Sequence, residues 1–242
     1  MDVTEIGKKV EKELAEAVKR NKQVASLYQK SLDGVMTYDE AGRFASMLGE
    51  TIGRLLYNNM ADAVSISADD IMALVPDSLR NEYSYVTRAV TAAQNTINKK
   101  AKVGLKAIVP AFDDERAVSI AQTVVDAGEI AAVSKTLPQM TENLSRHMVD
   151  KAISDNMEAQ HNLGLETIVI REYDDRGLHD GKEDCEFCLS RAGTWTYQQS
   201  REHDVFRRHN GCGCTITYIT KRSTQVQEDW TQNKWRDVGS RR

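Results

Sequence analysis

The sequence predicts a mainly α protein, in which a helical N-terminal region precedes a small C-terminal α+β module. Apolar residues recur every three or four positions through most of residues 3–161, and only three prolines occur among 242 residues. The first β-branched run typical of a strand follows Gly164. We therefore expect a helical region over residues 1–162, a module over 163–221 and a polar tail over 222–242.

The first two helices are predicted from their apolar stripes. Residues 3–33 place apolar side chains on one helical face, namely Val3, Ile6, Val10, Leu14 and Val18. Asp39 and Glu40 open a second helix, since acidic residues are favoured in a first turn. Its stripe consists of Phe44, Leu48, Ile52, Leu55 and Leu56.

The middle of the chain predicts a short helix followed by a long one. Ser67 has the character of an N-cap, with Asp69 and Asp70 in the first turn. We expect this helix to end before Pro76, because proline lacks the N–H group that continues a helix. A long helix is then predicted over roughly 78–101.

Two more helices are predicted after a break. Gly104 and Pro110 interrupt the helical pattern. A helix over about 113–135 follows, and Pro138 is expected in the first turn of another that runs to about residue 161. The stripes of these helices are rich in Ala, Val and Ile, which indicates the core of a helical bundle.

Three short strands and a polar tail are predicted after Gly164. The strands are expected over residues 167–171, 193–197 and 215–218, where β-branched and aromatic residues concentrate. Trp230 and Trp235 are the large apolar residues of the tail. The tail is expected either to dock on the module or to become ordered on a partner.

Charge and hydropathy restrict the classes of function. The net charge is −4, and residues 165–242 hold 13 Lys+Arg against 13 Asp+Glu, which is not the basic footprint of a dedicated DNA-binding protein. No run of about 18 apolar residues occurs, so no membrane span is predicted. The acidic N-terminus has no apolar segment of a signal peptide. Without export, paired cysteines are expected to bind metal rather than form disulfides.

All four cysteines fall between residues 185 and 214. Cys185 and Cys188 form a C-x2-C pair, and after 23 intervening residues Cys212 and Cys214 form a C-x-C pair. Two close pairs of thiols joined by a loop are typical of a tetrahedral zinc site. We expect one structural Zn²⁺ per chain, which would stabilise a segment too small and polar to bury much core.

Five residues could supply the four ligands of such a site. The spacing favours Cys185, Cys188, Cys212 and Cys214, because residues two apart on an extended strand face the same side. Replacement of one of the last two by His209 stays open, and so does a site without metal, holding disulfides or free thiols.

Catalytic alternatives rest on weaker patterns. Glu202, His203, Asp204 and His209 could assist a catalytic zinc. Alternatively, Cys188 could act as a nucleophile with His209 as its base. A site with four thiolates would be closed to substrate, so no enzyme activity is expected. The basic run 207–210 is expected to be solvated or to pair with the acidic turn at Asp174 and Asp175.

The C-terminal motifs resemble those of the head-morphogenesis (minor head) proteins of tailed bacteriophages, the phage Mu F-like family. The resemblance covers about residues 165–220 and is carried by Arg171-x-Tyr173, Asp184-Cys-Glu-Phe-Cys188, Gly193-x-Trp195 and Arg208-His-Asn-Gly-Cys-Gly-Cys214-x-Ile216. The helical region ahead of these motifs is similar to that family only in its architecture.

This resemblance implies a minor capsid protein near the portal, with a role in head morphogenesis and no enzyme activity. The expected partners are the portal and major capsid proteins, with self-association and contact with packaged DNA as further expectations. The expected location is the virion, and the host cytoplasm during assembly. The alternatives are a zinc-dependent nuclease or hydrolase and a zinc-ribbon nucleic-acid-binding protein.

Overall fold

A computed structural model, which describes residues 2–63, 65–174, 185–209 and 211–221, confirms the mainly α class. Six helices of two turns or more lead to a small C-terminal sheet with two short helices. The helices are α1 Val3–Arg20, α2 Lys22–Leu32, α3 Tyr38–Ala61, α4 Ala68–Ala101, α5 Asp114–Asp126, α6 Thr136–Asn162, α7 Glu186–Leu189 and α8 Tyr197–Glu202. The strands are β1 Glu166–Glu172, β2 Gly193–Thr196 and β3 Thr215–Lys221.

The first predicted helix is in fact two helices. The chain breaks at Asn21, which has an extended ψ of 109°. The Asn21 side chain accepts hydrogen bonds from the backbone N–H groups of Gln23 and Val24, at 3.0 and 3.2 Å. Asparagine competes with the helix for backbone hydrogen bonds and is favoured as an N-cap, which explains why the apolar stripe continues while the helix does not.

The predicted helix end before Pro76 is wrong. Pro76 lies inside α4, and it is buried together with its neighbours Val75 and Leu79. The proline removes one backbone hydrogen bond, but the apolar packing on both sides of it offsets that loss. Ser67 is confirmed as the N-cap of α4 and forms a capping box with Asp70.

The predicted helix 113–135 is shorter than expected. It ends at Asp126, and Gly128 then adopts a left-handed φ of +71°. Because this conformation suits glycine and ends a helix, the chain turns here. A 3-10 turn, Ile130–Val133, leads into α6, which begins at Thr136, so Pro138 lies in its first turn as predicted.

The closest helix pair of the bundle is α3 and α6. A Cβ atom added at Gly49 would lie 2.6 Å from the Cα of Glu142, and one added at Gly53 would lie 2.5 Å from the Cα of Pro138. The Thr141 hydroxyl also donates to the Gly49 carbonyl at 2.6 Å. The two glycines therefore permit backbone contact between the helices, and α6 is fixed against α3.

The three strands form an antiparallel sheet in the order β2-β1-β3. All three strand predictions are confirmed, except that Tyr197 opens α8 rather than closing β2. The inner face of the sheet carries Val169, Ile216 and Tyr218, which are buried in the same core as the helices. The sheet therefore packs directly on the bundle.

A buried polar network ties the sheet to the helices. The hydroxyls of Tyr38 and Tyr218 both donate to Oε1 of Gln94, at 2.9 and 2.6 Å. Asn98 accepts from the side-chain amides of Gln94 and Gln160, each at 2.8 Å. Because every member has a partner, this network fixes β3 against α3, α4 and α6.

None of the described helices combines the length and apolarity needed to cross a bilayer. Asp175 of the predicted acidic turn and the tail with Trp230 and Trp235 lie outside the described residues.

Candidate metal centre

The structure brings the five predicted ligands into two overlapping groups. Cys185, Cys188 and His209 form one group, and Cys188, Cys212 and Cys214 form the other. Within each group the ligand atoms lie within 4.8 Å of one another, and Cys188 belongs to both. Thiol and imidazole donors at this spacing could hold a metal ion.

Two tight turns place the donors. Cys185 is the N-cap residue of α7 and Cys188 lies inside it, so the Cys188 N–H donates to the Cys185 carbonyl at 2.9 Å. In the second turn, the Cys212 N–H donates to the His209 carbonyl at 3.1 Å. Gly211 in that turn has a φ of +75°, a conformation that few other residues adopt without strain. Each turn points two donors to one side.

The distances between donors are short. Nε2 of His209 lies 3.4 Å from the sulfur of Cys185 and 3.0 Å from that of Cys188. The sulfurs of Cys188 and Cys212 are 3.7 Å apart. All four cysteines are free thiols, so the disulfide alternative is not realised in this structure.

The cluster is largely closed to solvent. Cys188, Cys212 and Cys214 are buried, and Cys185 is half-buried. Phe187 covers His209 in an edge-to-face contact, with ring centroids 5.4 Å apart, and the Arg191 guanidinium stacks over the Phe187 ring, 3.8 Å from its centroid. This aromatic cover limits access to the His209 side of the cluster.

Arg171 lies against the sulfurs from the sheet. It is buried on β1, and its guanidinium is 3.8 Å from the sulfur of Cys188 and 3.6 Å from that of Cys212. It also donates to the carbonyls of Val205 and Arg207 at 2.5 and 2.7 Å. A buried cation beside sulfur atoms favours their thiolate form.

Arg208 links the cluster to α6. Its guanidinium forms a two-point ion pair with Asp150, with one contact of 3.0 Å, and both side chains are almost fully buried. It also donates to the Cys214 carbonyl at 2.7 Å and contacts the Cys212 sulfur at 3.7 Å. Burial alone would lower the pKa of Arg208, but Asp150 raises it above the usual value. Arg208 is therefore buried and paired with Asp150 rather than part of a solvated patch.

Arg146 on α6 forms hydrogen bonds with the backbone of the C-x-C segment. Its guanidinium donates to three consecutive carbonyls, those of Cys212 at 2.6 Å, Gly213 at 3.2 Å and Cys214. Buried backbone carbonyls need hydrogen-bond partners, and here one buried side chain donates to all three. The position of the C-x-C segment is thus set by α6.

These contacts shift the pKa values of the buried thiols in different directions. The pKa of Cys212 is lowered, first by a hydrogen bond from the Cys214 thiol and then by Arg208 and Arg171. The pKa of Cys214 is raised, because its thiol donates to Cys212 and because it is buried. Burial also raises the pKa of Cys188. In the absence of metal, Cys212 is the preferred thiolate.

Glu202, His203 and Asp204 lie apart from these donors, whereas Cys188 and His209, the nucleophile and base of the other catalytic alternative, are 3.0 Å apart within the cluster. In the part of the chain that the structure describes, neither ligand group includes Glu202, His203 or Asp204. The His203 ring stacks on Trp195 with centroids 4.2 Å apart, and Asp204 forms an exposed ion pair with Arg207 at 3.6 Å.

No protein-family model, curated protein or solved structure matches this chain.

Proposed function

We propose that the cysteine–histidine cluster binds one structural Zn²⁺ per chain, which joins the C-terminal segment to the helical bundle. Thiolate and imidazole are the donors that zinc prefers in closed tetrahedral sites. Arg171 would supply positive charge that buried thiolates need, and Arg208, held by Asp150, also contacts the sulfur of Cys212. When bound, the metal would neutralise the thiolates and lock both turns together.

The observation that carries this proposal is the burial of the donors beneath guanidinium groups fixed to the scaffold. A catalytic zinc keeps an open position for water or substrate. Cys188, Cys212 and Cys214 are buried, and Arg146 holds the backbone of the last two against α6. These features favour a structural centre over a hydrolytic one.

The proposed biological role is that of a minor head protein of a tailed phage or prophage, acting in head morphogenesis next to the portal. This role rests on the resemblance of the cysteine–histidine motifs and on the support for a closed structural centre. Its partners would be portal and major capsid proteins, with self-association and contact with packaged DNA as further possibilities. The chain would then be found in virions.

Elemental analysis of the purified chain, with thiol titration before and after chelation, tests the structural centre. We expect about one zinc per chain and thiols that react only after the metal is removed. Cys185→Ser should lower the metal content and expose the remaining thiols, whereas His203→Ala should change neither. A metal-free protein with freely reactive thiols would contradict the proposal.

Incorporation into heads tests the biological role. In a phage or prophage that encodes this chain, we expect the wild-type protein and His203→Ala in purified heads, and Cys185→Ser to be lost from them. Heads that form normally and contain none of the wild-type chain would contradict the assignment. A cleavage activity abolished by His203→Ala in the folded protein would favour the hydrolase alternative.

A further inference from the structure

We infer that the metal is bound by Cys185, Cys188, His209 and Cys212, and that Cys214 is a buried thiol outside the ligand set. This inference rests on the proposed function, because it requires that the cluster bind zinc. It differs from the all-cysteine set favoured by the spacing of the cysteines. Two independent observations carry it, the distances between donors and the balance of buried charge.

The donor distances match the edges of a mixed tetrahedron. With Zn–S bonds of about 2.3 Å and a Zn–N bond of about 2.0 Å, a tetrahedral site has edges of about 3.8 Å between sulfurs and about 3.5 Å between sulfur and nitrogen. The Cys188–Cys212 edge is 3.7 Å, and the edges from His209 to Cys185 and Cys188 are 3.4 and 3.0 Å. Three of the six edges are therefore within about 0.5 Å of these lengths, and Cys212 joins the set through its contact with Cys188.

His209 is directed at the cluster and not at solvent. Its Nε2 atom contacts two sulfurs, while Phe187 packs edge-on against the imidazole ring. If His209 were not a ligand, its Nε2 atom would lie beside two thiolates that bind the metal without binding the metal itself. The position of the imidazole indicates a ligand.

The charge balance favours three thiolates over four. Zn²⁺ with three thiolates and a neutral imidazole has a net charge of −1, whereas four thiolates give −2. Arg208 is paired with Asp150 and Arg146 with Glu142 at 3.5 Å, so Arg171 is the buried arginine that offsets the charge of the centre. One buried arginine matches a charge of −1, while an all-cysteine site would keep an uncompensated buried charge, which is costly.

Cys212 is the more suitable of the last two cysteines. Its sulfur receives guanidinium contacts from Arg171 at 3.6 Å and from Arg208 at 3.7 Å, in addition to its 3.7 Å contact with Cys188. Cys214 leads directly into β3 and is completely buried. The sulfur of Cys214 still lies within 4.8 Å of the sulfurs of Cys188 and Cys212, so an experiment must distinguish Cys214 from Cys212 as the ligand.

X-ray absorption at the zinc edge of the wild-type, full-length protein tests how many sulfur and nitrogen atoms bind the metal. We expect a shell of three sulfurs and one nitrogen. A shell of four sulfurs would overturn the inference while leaving the structural zinc intact. A protein that takes up no zinc would instead overturn the proposed function, so the two failures are distinguishable.

Cobalt substitution of matched variants tests the choice between the two cysteines. Co²⁺ reports its thiolate ligands through sulfur-to-metal charge-transfer absorption, which grows with the number of thiolates. We expect Cys214→Ser to keep the wild-type spectrum, and Cys212→Ser to lose about a third of the charge-transfer intensity, as three thiolates become two. The reverse pattern would assign Cys214 as the ligand and refute this part of the inference.

Two further measurements keep the result interpretable. Far-UV circular dichroism of each cobalt-loaded variant shows whether it is folded, and Cys214→Ala replaces Cys214→Ser if the serine variant is not. His209→Gln is expected to raise the sulfur fraction of the zinc shell or to abolish binding. A His209→Gln protein with an unchanged shell and affinity would overturn the assignment of the imidazole.

Discussion

Replacement of Glu82 by glutamine is expected to remove a large pH dependence of stability. Glu82 lies on α4 and is buried, and one carboxylate oxygen accepts from the Ser145 hydroxyl at 3.2 Å. The other oxygen has no hydrogen-bond partner among the described residues. Burial raises the pKa of Glu82 from 4.5 to about 8, and the hydrogen bond from Ser145 only partly opposes this shift. The folded protein therefore holds a proton on Glu82 at neutral pH.

The sign and size of the effect follow from proton linkage. Below pH 4.5 the carboxyl is protonated in both the folded and the unfolded chain, and its contribution to stability is fully present. As the pH rises to about 8 the unfolded chain ionises while the folded chain does not, so stability is lost. At 1.36 kcal/mol per pKa unit, a shift from 4.5 to about 8 corresponds to about 5 kcal/mol in total, and about 3 kcal/mol of this is lost by pH 7.

Urea unfolding of the wild type and of Glu82→Gln, followed by far-UV circular dichroism from pH 5 to pH 8, measures this effect. Because other titrating groups are common to both proteins, the quantity of interest is the difference in the free energy of unfolding. That difference should move in favour of the glutamine variant by about 4 kcal/mol between pH 5 and pH 8. A difference that stays constant over this range would refute the protonated, buried carboxyl.

Three further substitutions test the contacts of α6 with the rest of the fold. Gly53→Ala should lower the free energy of unfolding by about 1–3 kcal/mol or more, since its Cβ would meet α6, whereas Gly42→Ala on the open side of α3 should not destabilise. Asp150→Asn should cost about 3–5 kcal/mol in the same urea assay, because Arg208 would remain buried without its counter-charge; an unchanged midpoint would contradict this. Asn156 on α6 accepts from the Ile108 N–H at 2.9 Å and donates to the Ile108 carbonyl at 2.7 Å. Asn156→Ala should cost about 1–2 kcal/mol and speed amide exchange at Ile108, and unaltered exchange there would argue against that contact.

Local signals in the sequence predicted much of the fold. The capping box at Ser67 and Asp70 and the acidic first turn of α3 are short-range features, and the structure confirms both. The errors arose where a local signal competed with packing. Pro76 breaks a helix in isolation, but here burial of its neighbours keeps α4 continuous. Asn21 had the opposite effect, because its side chain ended a helix that the apolar stripe would have continued.

The donors of the candidate metal centre were predictable because they are close in sequence and chemically distinctive. The surrounding charges were not, since Arg146 and Asp150 reach Cys212 and Arg208 from α6, more than 50 residues away along the chain. The sequence does contain a signal for them. Arg146 and Asp150 flank Met148 and Val149, which are buried on the same helix, and charged residues within a buried stretch indicate partners elsewhere in the fold.

The three carbonyls that Arg146 holds also determine where the neighbouring peptide N–H groups point. In a planar trans peptide the C=O and N–H bonds are directed to opposite sides. Drawing the carbonyls of Cys212 and Gly213 toward α6 therefore turns the N–H groups of Gly213 and Cys214 away from it. The Cys214 N–H then donates to the sulfur of Cys212. A helix residue that touches no donor atom of the cluster thus orients the peptide dipoles that stabilise one of its thiolates.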